Sequence, residues 1–408
     1  MRGVKSGPSK RVGVNGNDAQ RGRKLLNLHI YPSPLTHESR MLKETESIAS
    51  FASFDRVVLV GAAVQGLPDR AAIDARREVV RISRDTPAWL PGSVGKVLGI
   101  AAWTMRVLRR FGNEPLACIN CHSLSTLPLG VLLKLRTKAR LVYDPHELET
   151  EANGLTGLRR AMSKFVERAL YGFADDVVVV GEKIADWYHD AYGGRRPTVI
   201  LNCPPACESQ RSSVLRDALG LPADAMIFLY QGILGPGRGV ELLLDAFADL
   251  DDRRKVLVFL GMGPLEREIA AVEAHRRNVR LHAAVPPQRL AEFTASADVG
   301  MCLIEDTCLS YRFCMPNKLF EYFAAGVPAV VSDLPEIAQV VASRDSGWVM
   351  RGWSASELRS IIGSIGPREI EAARAGAARA AAIYTWQAQT PALASVYARL
   401  GFAPVGAA

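Results

Sequence analysis

Short apolar runs alternate with longer amphipathic segments along most of this chain. The runs are rich in Val, Ile and Leu, which is typical of strands buried on both faces of a parallel sheet. They occupy residues 24–31, 56–61, 116–121, 140–143, 176–181 and 198–201, and then 225–230, 255–261, 279–281, 299–304 and 329–331. Helical periodicity in the intervening segments completes a repeated strand–helix pattern. The pattern predicts an α/β fold with parallel, doubly wound sheets.

The alternation is interrupted at residues 203–217, where proline, serine and charged residues replace the periodic pattern. We interpret this stretch as a linker. The chain is therefore expected to form two Rossmann-like domains, at 24–203 and 218–383, joined through residues 204–217. Two doubly wound domains place a cleft between the carboxyl ends of their strands, where ligands bind in such sheets.

Two other segments carry predictions about local structure. A helix is expected from residue 36, capped by a short polar residue, and the arginine-rich stretch 74–85 is interpreted as polar, without a regular element. Residues 93–111 predict a helix with two apolar stripes. The stripe expected to face the core contains Val94, Val97, Leu98, Ala101, Met105 and Leu108. The second contains Ile100, Trp103, Val107 and Phe111 beside a basic edge, and its alternative use is docking at an anionic membrane surface.

Composition narrows the class of protein without identifying it. The chain has 408 residues, of which 48% are hydrophobic, and a net charge of +8. Residues 1–24 hold seven bases and one acid, so this tail alone contributes +6, and residues 1–23 are expected to be disordered. No basic–aromatic interleaving or motif indicates nucleic-acid binding. The start lacks the apolar region of a secretory signal, and no apolar run is long enough to span a bilayer, so a cytoplasmic location is expected.

The seven cysteines are expected to be reduced and mostly buried. Cys118 and Cys121, and also Cys203 and Cys207, have the spacing of metal-binding pairs. The first pair lies in a predicted strand, where side chains do not all share a face, and the clustering of a structural zinc site is missing. No metal site is predicted.

Candidate chemistry lies at the ends of predicted strands. His122 follows the strand at 116–121, and His146 follows the strand at 140–143, so both are placed where α/β sheets bind ligands. In the second half, a glycine-rich turn at 231–239 lies between a strand and a helix. Free backbone N–H groups and the helix dipole make such a turn a site for anions, and Arg238 could add a charged fork for a phosphate.

A helix followed by a buried strand is predicted at residues 315–335, MPNKLFEYFAAGVPAVVSDLP. Lys318 and Glu321 are three positions apart and therefore share one face of the helix. Taken alone, the two residues are interpreted as a solvated surface pair.

Several segments together, in this order, resemble the retaining glycosyltransferases of family 4, which have the GT-B fold. They are INCHSLSTLPLG around His122, VYDPHE at 142–147, the turn at 235–239, GMGP at 261–264, SADVGM at 296–301 and PNKLFEYFAAGVPAVVSD at 316–333. The resemblance covers nearly the whole chain from residue 24. It also implies that residues 384–408 form a terminal helix packing back on the first domain, which would be the acceptor side.

The resemblance implies roles for particular residues. Residues expected at the catalytic centre are His122, Arg238 and Lys318. Residues expected to bind the donor are Gly235, Gly237, Gly239, Gly261, Gly263, Asn317 and Glu321. Residues expected on the acceptor side or the cleft rim are Arg40, Asp144, His146 and Glu147.

One position departs from the family pattern. Glu321 matches the second glutamate of the E-x7-E motif, whereas the position of the first is occupied by Phe313. Either Glu305 or Asp306 replaces the missing acid, or backbone groups around Cys314 and Met315 hold the sugar hydroxyls instead.

The implied activity is transfer of a sugar from a nucleotide-diphosphate sugar to a saccharide or lipid-linked acceptor, in synthesis of cell-envelope polysaccharide or glycolipid. The nucleotide sugar is a co-substrate, and neither a metal nor another cofactor is expected, because Arg238 and Lys318 would supply the positive charge. Peripheral contact with the inner face of the cell membrane is a further expectation. Two alternatives stay open, a nucleotide-sugar 2-epimerase and a non-catalytic protein that binds nucleotide sugars.

Overall fold

The structure is a computed structural model, which describes residues 25–52, 54–84, 92–207 and 210–402. The side chains of residues 92–97 are not described. The tail at 1–23, predicted to be disordered, lies outside the described residues.

The first domain is built on one sheet, whose strands run in the order β3-β4-β2-β1-β5-β6-β7-β8. Its elements are β1 (Leu26–Ile30), α1 (Ser39–Phe51), β2 (Arg56–Ala62), β3 (Arg70–Ala72), β4 (Arg77–Ile82), α2 (Gly92–Phe111), β5 (Leu116–Cys121), α3 (Leu127–Thr137), β6 (Arg140–Tyr143), a 3-10 turn (Glu149–Glu151), α4 (Gly157–Tyr171), β7 (Asp176–Val179), α5 (Glu182–Tyr192) and β8 (Thr198–Val199). The paired strands are parallel except β3 with β4. The order in which strands are added to the sheet reverses between β1 and β5, where Ile30 lies opposite Cys121.

The second domain repeats this plan with the strand order β11-β10-β9-β12-β13-β14, all parallel. Its elements are α6 (Val214–Ala218), β9 (Met226–Ile233), α7 (Val240–Ala248), β10 (Lys255–Met262), α8 (Glu266–Glu273), β11 (Val279–Ala283), α9 (Pro287–Thr294), β12 (Val299–Cys302), α10 (Leu309–Arg312), α11 (Asn317–Ala324), β13 (Ala329–Ser332), α12 (Pro335–Ala342), β14 (Gly347–Met350), α13 (Ala355–Ser364) and α14 (Pro367–Ile383). The order reverses between β9 and β12. The predicted doubly wound α/β fold is confirmed.

The last helix, α15 (Trp386–Arg399), crosses to the first domain. The Trp386 indole N–H donates to Ser47 Oγ at 2.9 Å, and the Tyr397 hydroxyl donates to Asn120 at 2.9 Å. Buried Leu393 and Val396 complete its contact with the core on that side of the sheet. The chain therefore leaves the second domain after α14, and α15 packs against the first.

Three local predictions were wrong. The arginine-rich stretch 74–85 contains β4, in which Val79 is buried while Arg77 and Glu78 form ion pairs along the sheet edge. Helix α1 begins at Ser39, after Glu38, and its N-cap has no side-chain hydrogen bond. The predicted linker ends early, because α6 buries Leu215 in the second core.

The predicted orientation of α2 was also wrong. The stripe with Trp103, Val107 and Phe111 is buried against the sheet, whereas Leu98 and Met105 are 45% and 47% exposed. The stripe that is buried carries the larger aromatic surface, whose removal from water contributes more free energy. No helix of the described residues is long and apolar enough to cross a membrane.

Candidate active site

A cavity of about 530 Å³ lies between the two domains, at the carboxyl ends of both sheets. The first domain contributes His146, Glu147, Val180 and Ile184 to its wall. The second contributes most of the remainder, including Gln231, Arg238, Gly261, Cys314, Met315, Asn317, Lys318 and Glu321. The cavity thus collects some of the residues for which the sequence predicted a ligand site, among them His146, Arg238 and Lys318.

Several contacts link the domains across this cleft, and Glu336 and Ser310 make two of them. Glu336 at the start of α12 accepts hydrogen bonds from the backbone N–H groups of Glu182 and Lys183, at 3.1 and 2.5 Å, at the N-terminus of α5. Ser310 of α10 donates to Glu147 at 3.2 Å. A carboxylate placed on the N-terminal amides of a helix is favoured by the helix dipole, so the Glu336 contact stabilises the arrangement seen here.

On the first-domain side, parallel pairing brings the strand-end side chains together. The N–H of His122 donates to the Ile30 carbonyl, and the N–H of Asp144 donates to the Cys121 carbonyl, so each residue continues the ladder by one step. As a result, His122 Nδ1 lies 2.9 Å from Asp144 Oδ2 and 3.2 Å from His146 Nε2. His122 Nε2 lies 2.9 Å from His29 Nδ1, behind it in the core.

This network is buried and its charges are compensated. Arg40 donates to both oxygens of Asp144, at 3.1 and 2.8 Å, and also lies 2.9 Å from Glu44. Burial opposes ionisation of Asp144, but Arg40, His122 and His146 hold its pKa well below the usual value. Burial raises the pKa of Glu44 and lowers the pKa values of His122 and His29. The neutral imidazole form is therefore favoured at His122 and at His29.

The structure separates the four residues predicted for the rim into two pairs. His146 and Glu147 line the cavity. Arg40 and Asp144 are 3% and 2% exposed and lie behind them, because their charges satisfy each other in the interior. His122, predicted at the catalytic centre, is 1% exposed and reaches the cleft only through His146.

On the second-domain side, the glycine-rich turn packs tightly against its own domain. Gly237 and Gly239 have φ values of +73° and +77°, which side chains rarely adopt. A Cβ atom on Gly239 would lie 2.6 Å from Leu303 Cβ, and one on Gly261 would lie 1.9 Å from the Gly232 carbonyl oxygen. Arg238 and Gly261 reach the cavity wall, whereas Gly235, Gly237, Gly239 and Gly263 do not.

Lys318 is the most unusual group in the cavity. Its Nζ atom is buried 3.7 Å from the centre of the Tyr230 ring, and none of the described residues accepts a hydrogen bond from it. Burial lowers the pKa of Lys318 to about 8. Lys318 is the second residue of α11, whose N-cap, Pro316, supplies no side-chain hydrogen bond. A buried cation beside the first N–H groups of a helix is a site for an anion.

Glu321 lies one turn further along α11, on the same face. Its carboxylate accepts a hydrogen bond from Gln231 Nε2 at 2.6 Å, and Gln231 Oε1 accepts one from the Thr294 hydroxyl at 2.8 Å. Burial raises the pKa of Glu321. Lys318 and Glu321 are thus cavity residues and not the solvated surface pair expected when they were considered alone.

Phe313 packs against the core of the first domain together with Leu309 of α10. The position where the family pattern has an acid is therefore used as an apolar contact between domains. Glu305 and Asp306 are not in the cavity wall, and Asp306 lies 3.7 Å from Arg312. Cys314 and Met315 do line the cavity. This placement favours the alternative in which groups around Cys314 and Met315 replace the missing acid.

Two groups of described residues bring potential metal ligands together, His122 with Asp144 and His146, and His29 with Glu44 and His122. In both groups the carboxylate, Asp144 or Glu44, already forms an ion pair with Arg40. A cation would compete with this guanidinium for the carboxylates. These groups therefore fit a charge-balanced network better than they fit a metal centre.

Three residues near the cavity were missed from the sequence. Gln231 lies near the carboxyl end of β9, so the strand-end rule could have found it. Tyr311 contacts the Arg238 guanidinium at 5.7 Å through its ring, and no local signal marks it. Lys43 donates to Asn202 at 2.7 Å and to the Cys203 carbonyl at 2.5 Å, and burial lowers its pKa to about 8. Its partners are distant in sequence.

Comparison with known proteins identifies both domains. Residues 48–204 match the family model described as Glycosyl transferase 4-like domain, and residues 225–365 match the one described as Glycosyl transferases group 1. D-inositol 3-phosphate glycosyltransferase 2 of Catenulispora acidiphila is 25% identical over 328 residues, covering 74% of this chain and 75% of the relative. D-inositol 3-phosphate glycosyltransferase of Streptomyces bingchenggensis is 27% identical over 344 residues, covering 77% and 72%.

Solved structures show the same fold. Sucrose-phosphate synthase from Thermosynechococcus elongatus has a TM-score of 0.76 at 18% identity, over 93% of this chain and 99% of that one. The Anabaena protein Alr3699/HepE in complex with UDP-glucose has a TM-score of 0.67 at 15% identity, over 91% and 99%. With two facing doubly wound domains and both family matches in order, the chain belongs to the group 1 glycosyltransferases of the GT-B fold.

Proposed function

We propose that this protein transfers a glycosyl group, with retention of configuration, from a nucleotide-diphosphate sugar to a saccharide or lipid-linked acceptor. The observation that carries the proposal is the buried ammonium of Lys318, which lacks a hydrogen-bond partner in the described residues and lies in a cavity of about 530 Å³. A diphosphate is the anion that a group 1 glycosyltransferase must hold. The similar HepE protein was solved with UDP-glucose, which supports this class of donor.

In this proposal, the chain's own residues stabilise the leaving group. The bond between the anomeric carbon and the diphosphate oxygen breaks, and a bond to the acceptor hydroxyl oxygen forms on the same face of the sugar. The acceptor proton passes to the departing diphosphate. Arg238, Lys318 and the first N–H groups of α11 offset the charge that develops on that diphosphate.

The remaining wall residues orient the two substrates. Glu321, fixed by its 2.6 Å hydrogen bond from Gln231, is placed to accept hydrogen bonds from donor hydroxyls. His146, backed by His122 and Asp144, and Glu147 form the acceptor side of the cavity. Because two fixed cations are available, we propose that transfer needs no metal. Synthesis of a cell-envelope polysaccharide or glycolipid, at the inner face of the cell membrane, is the role we propose.

A thermal-shift panel of UDP-, GDP- and dTDP-sugars tests the donor class. A donor that binds only the folded protein raises the melting temperature, and at a hundredfold excess over Kd the stabilisation is about 2.7 kcal/mol. We expect one nucleotide to stand out. If none of the three nucleotides shifts the melting temperature, the proposed donor class is wrong.

Once a donor is known, Arg238→Ala and Glu321→Ala should each depress its turnover strongly, by roughly a hundredfold, without unfolding the protein. Turnover is measured with and without a chelator, which should have no effect. Half-buried Arg359, which pairs with Asp249 and does not line the cavity, offers the matched control Arg359→Ala. Unchanged rates in both cavity variants would remove these assignments.

A further inference from the structure

Helices α2, α3 and α4 cover one face of the first-domain sheet as a single layer. Val107 of α2, Leu133 of α3 and Val166 of α4 pack in the same core, and α3 contacts both of its neighbours. Because their inner faces share that core, their outer faces form one continuous surface. We call it the three-helix face.

The three-helix face is apolar where solvent-facing helices are normally polar. On α4, Leu158, Met162 and Phe165 are 78%, 55% and 70% exposed, and their spacing places them on one side of the helix. The other large apolar side chains exposed on this face are Leu98, Ile100, Met105, Leu132 and Leu135. Half of the exposed large hydrophobic residues of the described chain therefore lie on three helices. Such a concentration marks an interaction surface.

These helices are rich in basic residues, of which Arg110, Lys134, Arg160 and Lys164 pair with acids of neighbouring segments. Their sequences contain ten basic residues, Lys96, Arg106, Arg109, Arg110, Lys134, Arg136, Arg159, Arg160, Lys164 and Arg168. They contain one acid, Glu167, which is buried and accepts hydrogen bonds from Tyr143 and Tyr188. Arg109, Arg159 and Arg168 form no ion pair with another described residue and are exposed.

We propose that the three-helix face docks on a bilayer containing anionic phospholipid. An apolar strip flanked by bases fits the boundary between acyl chains and negatively charged headgroups, where both kinds of group are satisfied at once. Arg159 and Arg168 flank the Leu158–Met162–Phe165 strip on opposite sides of α4, as this geometry requires. A nucleic acid would bind the basic side chains but would leave the Leu158–Met162–Phe165 strip exposed to water, so a bilayer fits this face better.

The three-helix face is also connected to the active site. A second cavity, of about 580 Å³, runs beside α4 and is lined by Leu124, Pro128, Leu155, Met162 and Glu147. Glu147 also lines the main cavity. If the proposed transfer is correct, a lipid-linked acceptor held in the same bilayer has a route to the cleft along this cavity, whose wall is apolar beside α4 and carries Glu147 and Glu149 toward the cleft. This step rests on the proposed function, whereas the docking itself does not.

Sedimentation with vesicles of phosphatidylcholine, with and without an equal part of phosphatidylglycerol, tests the docking on the full-length chain. We expect binding to the anionic vesicles at low salt, weaker binding at high salt, and little binding to phosphatidylcholine alone. The double variants Leu158→Ser/Phe165→Ser and Arg159→Gln/Arg168→Gln should each lower the partition coefficient about tenfold or more. The matched control Ile73→Ser/Ile383→Ser, at two exposed apolar positions elsewhere, should bind like the unmodified protein.

The basic segment 1–24 is present in every variant, so full binding by both double variants would assign the contact to that segment and overturn the proposal. It is also overturned if no vesicle is bound, or if the control loses as much binding as the α4 variants. A change in the protein's own sedimentation, seen only in Leu158→Ser/Phe165→Ser, would identify a second copy of the chain as the occupant. The nucleotide-sugar thermal shift is measured on the same variants and should not change, so failure of docking and failure of the proposed transfer give different results.

Discussion

The carboxyl ends of the strands in the two sheets face each other across the cleft, and we call them the first and the second edge. Buried charges are arranged differently at these two edges. At the first edge, Asp144 is bonded to Arg40 and to His122, and every charge has a partner. At the second edge, the Lys318 ammonium is also buried, but it has no hydrogen-bond partner within the part of the chain that the structure describes. Both edges follow from the same doubly wound topology. What differs is whether the protein itself completes the set of charges.

A buried network whose charges are paired within the protein is stable without a ligand. It fixes the positions of the residues in front of it, here His146 and Glu147. An incomplete one is stable only because the rest of the fold determines its position, and it is completed when a ligand of opposite charge binds. We therefore infer that the first edge supports the cavity wall and that the second edge binds the anion. We also predict that disrupting the two edges has different consequences.

The largest effect is expected from Asp144→Asn. This change leaves the buried Arg40 guanidinium without its main partner, and breaking a buried ion pair destabilises a protein by roughly 3–5 kcal/mol. We expect the lower end of that range, because Glu44 lies 2.9 Å from Arg40 and shares its charge. The measurement is chemical denaturation followed by circular dichroism.

The control for Asp144→Asn is Asp249→Asn, which breaks the exposed pair with Arg359 at 2.9 Å. An exposed pair contributes at most about 1 kcal/mol. Equal losses in the two variants would contradict the view that the first edge depends on its internal compensation.

The next effect is expected from Lys318→Met, and it concerns binding. The nucleotide-sugar thermal shift should be lost and turnover should fall by roughly a hundredfold, because an offset to the diphosphate charge is removed. The ligand-free protein should melt at the same temperature or a higher one, since a buried charge without a partner is removed. Thermal shift with and without the nucleotide sugar measures both effects.

Lys255 provides a matched control for Lys318. It is 4% exposed, and its ammonium donates to the carbonyls of Ile362 and Gly363 at 2.7 and 3.0 Å. Lys255→Met should therefore destabilise the protein by roughly 1–3 kcal/mol and leave nucleotide binding intact. The reverse pattern, with Lys318→Met the less stable variant, would show that Lys318 is structural.

The smallest effect is the pH dependence of donor binding. The folded-state pKa of Lys318, about 8, lies below the usual 10.5, so the ligand-free protein loses this charge as pH rises through 8. Nucleotide-sugar Kd should be constant below pH 8 and rise above it, by up to about tenfold per pH unit. The same titration of Lys318 makes the ligand-free protein gain stability between pH 8 and 10.5, where the unfolded chain binds the extra proton.

Lys318→Arg separates this explanation from others, because arginine stays charged throughout the range. Calorimetric titration at several pH values should give a flat profile for that variant. A profile that still rises above pH 8 would assign the titration to another group, of which Lys43 is a nearby example with a pKa also lowered to about 8.

The fold was predictable because its signal is local. Buried parallel strands appear as short apolar runs, and the order of strands and helices fixes a doubly wound α/β arrangement. The exceptions had specific causes. Strand β4 was missed because it lies near the edge of the sheet and carries Arg77, Glu78 and Arg81 in ion pairs and hydrogen bonds. The two stripes of α2 could not be ranked, because periodicity gives the angle between them but not which one faces the sheet.

The candidate site was predictable in position but not in its internal order. The sequence alone determined that His122, Asp144 and His146 follow strand ends and that Lys318 and Glu321 share one helix face, since both statements depend only on periodicity and chain order. Only the tertiary structure decided that Arg40, from a helix about a hundred residues earlier, neutralises Asp144. It also decided that Lys318 has no hydrogen-bond partner among the described residues and that Phe313 packs against the other domain. Burial and charge pairing depend on groups that are distant in sequence, and for that reason they are fixed only when the chain has folded.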